Sequence, residues 1–159
     1  MKENRQIGFY FTMNAEGIKF TRIPGDRGLA TKMGITIGLM KKLNMDLNHD
    51  GYVNDNDVRL VNLDIVEKLY TKYFWNAINA DELPAGIDIL AADIAFNSGI
   101  AKWQEFKKEG NDNDIDIIVD RRIRFYKYQA KNIVNQKQFL KGWINRAEVS
   151  RTLAKKLRG

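Results

Sequence analysis

The sequence predicts an all-α domain with a small β-ribbon or loop region over residues 19–35 and one Asn/Asp-rich acidic loop over residues 46–57. Apolar residues recur at helical spacing along most of the chain, and strand-like stretches are confined to one Gly-rich region. With 159 residues, 44% hydrophobic, and only two prolines, the chain can bury one core and has few helix breakers, so a single domain over 1–159 is expected.

The first helix is read from Ile7, Tyr10, Phe11 and Ile18, which fall near one helical face, with Gly17 as a left-handed cap and Glu16 as the closing residue. The helical signal then stops. Pro24-Gly25-Asp26-Arg27-Gly28 is turn chemistry between two stretches, 19–23 and 29–35, that pair as a ribbon. Thr36 is placed to N-cap a helix through Leu43, and Asp64-Ile65-Val66-Glu67 has capping-box form ahead of Leu69, Tyr70, Tyr73, Phe74, Ala77 and Ile78. After the break at Leu83-Pro84-Ala85-Gly86, Ile87, Leu90, Ala91, Ile94 and Ala95 make a strongly apolar helix ended by Gly99, expected at the centre of the fold. Beyond a charged loop over 107–116, Val119, Ile123, Tyr126, Ala130 and Ile133 resume the period, with Arg122, Arg124, Lys127 and Lys131 expected outside. Phe139, Leu140, Trp143, Ile144 and Ala147 open a final amphipathic helix.

Composition narrows the chemistry. There is no cysteine and one histidine, His49, which excludes disulfides, thiolate metal sites, a multi-histidine zinc centre and a serine triad built on another histidine. Any catalysis has to use carboxylates. The net charge of +6 is uneven: residues 121–159 hold twelve Lys or Arg and one acidic residue, so the first 120 residues are net acidic. A basic tail concentrates polyanions, but it lacks interleaved exposed aromatics or a groove-reading motif, and nucleic acid is not expected as a partner. The polar start and the apolar run over 7–13, broken by Gly8 and Thr12, show no secretion signal, and no stretch is long enough to span a bilayer.

Glycosidic cleavage needs an acid for the leaving oxygen and a second oxygen-bearing group to position water or stabilise charge, and Glu16, Asp26 and Thr31 offer that set. A carboxyl at a helix C-terminus faces the negative dipole end, and partial burial adds to this, so both would raise its pKa toward that of a general acid. Asp26, in a solvated turn, would stay ionised. Asn14-Ala15-Glu16-Gly17, followed by Gly25-Asp26-Arg27-Gly28-Leu29-Ala30-Thr31-Lys32-Met33-Gly34-Ile35-Thr36, resembles the signature of the glycoside hydrolase family 108 N-acetylmuramidases, although Ile18, Arg27, Leu29 and Met33 depart from it. The resemblance continues through Tyr73-Phe74-Trp75, Asp81 to Gly86, Asp93 to Gly99, Arg121 to Tyr126 and Phe139 to Arg146.

It implies a lysozyme-like helical fold and a peptidoglycan hydrolase that cleaves the bond after N-acetylmuramic acid, with Glu16 as the essential acid and no cofactor for the chemistry. It also implies motifs concentrated in 1–99 and a C-terminal part, 100–159, similar to a shortened peptidoglycan-binding region. The expected partner is bacterial peptidoglycan, met by a monomer that stays cytoplasmic until released to the wall. The alternative is a non-catalytic wall-binding or secretion-associated module. Tyr73, Trp75 and Trp103 are candidates for stacking on sugar, against core packing as the commoner fate of such aromatics, and Asn97 is a candidate for facing the substrate, with Asp93 one helical turn before it as a structural partner.

The loop over 46–57 places Asp46, Asn48, Asp50, Asn54 and Asp57 around Gly51 as an EF-hand loop does, with the Tyr52 carbonyl as a further ligand. A structural Ca²⁺ is expected there, with Val53 turned inward and His49 exposed.

Overall fold

The computed structural model describes residues 2–22, 30–108 and 113–159. Helix α1 spans Lys2–Glu16 and leads into a three-stranded antiparallel sheet, β1 (Phe20–Arg22), β2 (Ala30–Lys32) and β3 (Ile35–Thr36), in the order β1-β2-β3. Helices α2 (Ile37–Lys42), α3 (Asp55–Leu60) and α4 (Leu63–Tyr70) follow. A π-turn over Thr71–Trp75 and short 3₁₀ turns lead to α5 (Ile87–Ser98), then α6 (Ile100–Lys108), α7 (Ile115–Asn132) and α8 (Leu140–Arg158). The fold is mainly helical with one small sheet, as the sequence predicts.

Gly17 takes the left-handed conformation, φ +75°, and its N–H closes on the Met13 carbonyl at 3.0 Å, which ends α1 at Glu16. The face that α1 buries is not the predicted one. Phe9, Thr12 and Met13 point inward, whereas Ile7, Tyr10 and Ile18 are exposed. Two polar contacts explain the rotation: Asn4 Nδ2 donates to Asp88 at 2.8 Å and Thr12 Oγ1 to Asp93 at 3.0 Å, so α1 docks on α5 through buried hydrogen bonds as well as apolar contacts.

The predicted ribbon is present and gains a third strand. Thr31 pairs with Thr21 on one side and Thr36 on the other, and Lys32 pairs with Ile35, leaving Met33-Gly34 as a two-residue turn. Both turn residues have positive φ, 52° and 76°, as a type I′ hairpin requires. Thr36 caps α2 as expected, accepting from the Leu39 N–H at 3.2 Å. The capping box expected at Asp64 and Glu67 is not formed; Asn62 caps α4 instead, and the capping box belongs to Asn54 and Asp57 at the start of α3. The helix read over 64–78 is shorter than expected, because the backbone widens into the π-turn after Tyr70.

Helix α5 is the centre of the domain, with every residue from Ile87 to Ala95 buried. On α8, Ala147, Ser150 and Ala154 form a fully buried row, small enough for α8 to lie close on the neighbouring elements. At Gly86 a Cβ would run into the Ala154 carbonyl, so this glycine admits α8 to the N-terminal end of α5. Arg122, expected outside, is fully buried: it shares the face of Val119 and Tyr126 on α7 and ends beneath α5 and α8. Among the described residues no helix is long and apolar enough to cross a membrane.

Candidate active site

Glu16 stands at the C-terminal end of α1 on the wall of a cleft of about 740 Å³. Asn14, Ala15 and Phe11 line the α1 side. The facing wall comes from Gln138 and Phe139 and, on α8, Gly142, Trp143, Asn145, Arg146 and Val149, while Asn97 enters from the end of α5. Among the described residues Glu16 is the one carboxylate that lines it.

The hairpin glycine sets how closely the sheet approaches. A Cβ on Gly34 would overlap the Phe96 ring and lie 3.2 Å from Glu16 Cγ. The Met33-Gly34 turn therefore packs directly behind the Glu16 side chain, and its bare backbone leaves that side chain its place.

Arg146 is the residue that sequence reasoning missed. Its Nη1 donates to Glu16 Oε1 at 2.6 Å, while Nη2 and Nε grip the two Asp93 oxygens at 2.6 and 3.2 Å, a bidentate fork. Asp93 is wholly buried and also receives Arg122 Nη1 at 2.7 Å and Thr12 Oγ1 at 3.0 Å. Burial pushes the Asp93 carboxyl up, but the Arg122 and Arg146 guanidiniums outweigh it and hold the group at about 2. Burial likewise works against the Arg146 cation, and the Asp93 and Glu16 carboxylates reverse it, keeping Arg146 above its ordinary range. The expected setting of Glu16, a helix end with partial burial, thus includes a cation already shared with a second, deeper carboxylate.

The network runs on. Arg122 Nε donates to the Tyr126 hydroxyl at 2.7 Å, and that hydroxyl donates to Asn97 Oδ1 at 2.9 Å, back at the cleft. The predicted pairing of Asp93 with Asn97 is replaced by these contacts. Asp93 is structural, as expected, and Asn97 is exposed at the cleft. Asp26 lies outside the described residues. Thr31 is half-buried in mid-sheet and does not line the cleft. Tyr73 sits in the π-turn with Lys72 Nζ 5.0 Å from its ring centre, also away from the cleft.

Two of the aromatic expectations are corrected. Trp75 is fully buried with its Nε1 donating to Asp81 at 3.1 Å, and Trp103 is 1% exposed, so both belong to the core. The aromatic residues at the cleft are Phe11, Phe139 and Trp143.

Residues 9–99 match the family model for glycosyl hydrolase 108. The chain belongs to the glycosyl hydrolase 108 family. Among solved structures, the SagA protein of Brucella abortus shares the fold, with a TM-score of 0.77 and 23% identity over 99% of this chain and 97% of that one. No curated protein sequence matches the chain. The glycosyl hydrolase 108 match contains Glu16, Gly34, Asp93 and Asn97 but ends before Arg122, Trp143 and Arg146, so part of the cleft of this family member lies outside it.

The loop over 46–57 closes on itself. Asp46 accepts from the Asp50 and Gly51 N–H groups, Asn48 from Asp50, and Asp50 from Tyr52. Asp57 is buried and accepts from Leu47, Asn48 and Asn54; the Asn54 amide outweighs burial, and the carboxyl lies below its ordinary range. Among the described residues no group of three His, Cys, Asp or Glu side chains is gathered for a metal, and the carboxylates and Asn oxygens of this loop accept from its own N–H groups.

Proposed function

We propose that this protein is a peptidoglycan hydrolase, an N-acetylmuramidase that cleaves the bond between N-acetylmuramic acid and N-acetylglucosamine, with Glu16 as general acid. The observation that supports it is Glu16, among the described residues the one carboxylate on the wall of a cleft of about 740 Å³, anchored through one oxygen. Arg146 donates to Oε1, and it can do so whether Glu16 is ionised or protonated, because the carbonyl oxygen of the acid still accepts. Oε2 is then the atom that carries the proton to the leaving oxygen. Arg146 is itself fixed by the bidentate hold of Asp93, so the oxygen of Glu16 that it binds is fixed in place as well. Asp26 and Thr31 remain the proposed groups for water and charge, as the resemblance to the family signature implies, with Thr31 on the strand that leads into the hairpin behind Glu16.

Glu16→Gln keeps the shape and the Arg146 contact but has no proton to give. It should abolish release of soluble fragments from purified sacculi while leaving the melting temperature close to that of the parent protein, and mass spectrometry of the parent's products should find N-acetylmuramic acid at the new reducing ends. Retained lysis by Glu16→Gln would remove the assignment. Because one carboxylate lines the cleft among the described residues, a wall-binding module that does not cut is the rival, recognised by sedimentation with sacculi and no new reducing ends.

A further inference from the structure

We propose that Phe139 and Trp143, on the C-terminal wall of the cleft, form the stacking platform for an N-acetylhexosamine ring of the glycan strand, beside Glu16. The inference rests on the hydrolase reading and adds to it the residues that hold the strand. The two aromatics are not loose surface side chains. Trp143 lies 5.4 Å from Tyr126 and 5.8 Å from Phe139 between ring centres, tilted by 33° and 30°, so the three form a row from the core to the solvent. The inner end is fixed by hydrogen bonds, since the Tyr126 hydroxyl is held between Arg122 and Asn97. The outer end is open, with Phe139 45% exposed although it is a large apolar side chain. An aromatic face kept rigid and exposed at a cleft is what the C–H face of a pyranose packs on, and it costs little side-chain entropy to use.

Shape and polarity select a polymer of amide-bearing sugars. A second depression of about 320 Å³ adjoins the first, and Asn97 and Trp143 line both. An extended strand passes from one to the other, whereas a single compact ligand would fill only one. The amides of Asn14, Asn97, Asn145 and Gln138 around the first cleft offer both donors and acceptors, which match hydroxyls and acetamido groups and carry no charge that would favour an ionic ligand.

The three tryptophans make the test selective, because Trp75 and Trp103 are buried and Trp143 alone meets the cleft. Glycan strands freed of their stem peptides by an amidase are added to the protein and to Glu16→Gln, and iodide quenching of tryptophan emission is followed. The strands should protect Trp143 in both proteins. In calorimetry on the Glu16→Gln background, Phe139→Ala should weaken strand binding about tenfold, and Trp143→Phe, which keeps an aromatic face, should weaken it less. Phe139→Ala should melt close to the parent, since the side chain sits at the open end of the row and is 45% exposed. Unchanged iodide quenching, or parental affinity in Phe139→Ala, overturns the platform. If Phe139→Ala loses binding while Glu16→Gln still cuts sacculi, the platform stands and the acid assignment falls.

Discussion

Residues 9–99 and residues 100–159 both build the cleft, but they do so with different chemistry. The first region contributes the carboxylate, the hairpin glycine behind it and Asn97, and it is the region that matches the family. The second contributes the guanidiniums beneath the carboxylate and the aromatic wall facing it. A family model over residues 9–99 can therefore identify the family while much of the working surface lies on helices beyond the match. The difference also reinterprets the basic tail. Arg122 and Arg146 are counted in its charge, yet they are internal counter-ions to Asp93 and Glu16, and Arg151 is held by Asp116, Asp120 and Glu148.

The strongest test of this contrast is Arg146→Ala. It removes one of two cations from a fully buried carboxylate and frees Glu16, so a loss of about 3–5 kcal/mol is expected, together with loss of sacculus lysis. Arg146→Lys should recover part of the stability but not the activity, because a single ammonium cannot hold Asp93 in a fork and reach Glu16 as well. Urea unfolding and lysis assays on both variants measure this, and an Arg146→Ala protein that cuts normally would return the whole site to residues 9–99.

Gly34→Ala tests the first region in the same terms. A Cβ there meets Phe96 and Glu16 at a backbone φ of +76°, so a cost of roughly 2–3 kcal/mol and a clear drop in lysis are expected. Gly142→Ala on the opposite wall has open space around the new methyl and should leave stability nearly unchanged. If both glycine variants behave alike in thermal melts, the close packing behind Glu16 is not what sets its position.

Acid should act where the two regions meet, at Asp93 of the first and its arginines of the second. Asp93 is held at about 2 against 3.8 for a free aspartate, so its ionisation stabilises the fold fully above the unfolded value. That contribution, about 2 kcal/mol, is lost as pH falls through about 2. Denaturant melts taken between about pH 5 and pH 2 should show this fall, and Asp93→Asn should flatten it. The smallest effect is expected at the acidic loop. We propose that Ca²⁺ still binds there by drawing Asp46, Asp50 and Asp57 together, raising the melting temperature by about 2–4 °C for each ~1 kcal/mol of linkage. Equal melting in Ca²⁺ and in EDTA removes the ion from the description.

Much of the architecture is legible from residue order. The ribbon, the Thr36 cap, the Gly17 and Gly99 stops and the apolar α5 follow from local turn chemistry and helical period. The buried face of α1 differs from the expected one because Thr12 and Asn4 look like solvent residues while their buried partners, Asp93 and Asp88, lie 81 and 84 positions away. Arg122, expected outside, and Arg146, for which the sequence offers no role, occupy inward positions of their helices, in step with Tyr126 and with Ser150 and Ala154, and that phase is the available signal. For Trp75 and Trp103 the sequence leaves core and sugar platform open, and burial decides for the core, since the distinction depends on what α5 and its neighbours cover.

The contact between Glu16 and Arg146 joins groups 130 residues apart in sequence. A nascent chain carries Glu16 long before Arg146, and it has no anchored acid until translation has passed Arg146 and α8 has docked at Gly86. The order in which a ribosome delivers the two regions therefore doubles as a timer, and an interrupted chain holds the family signature without a finished cleft.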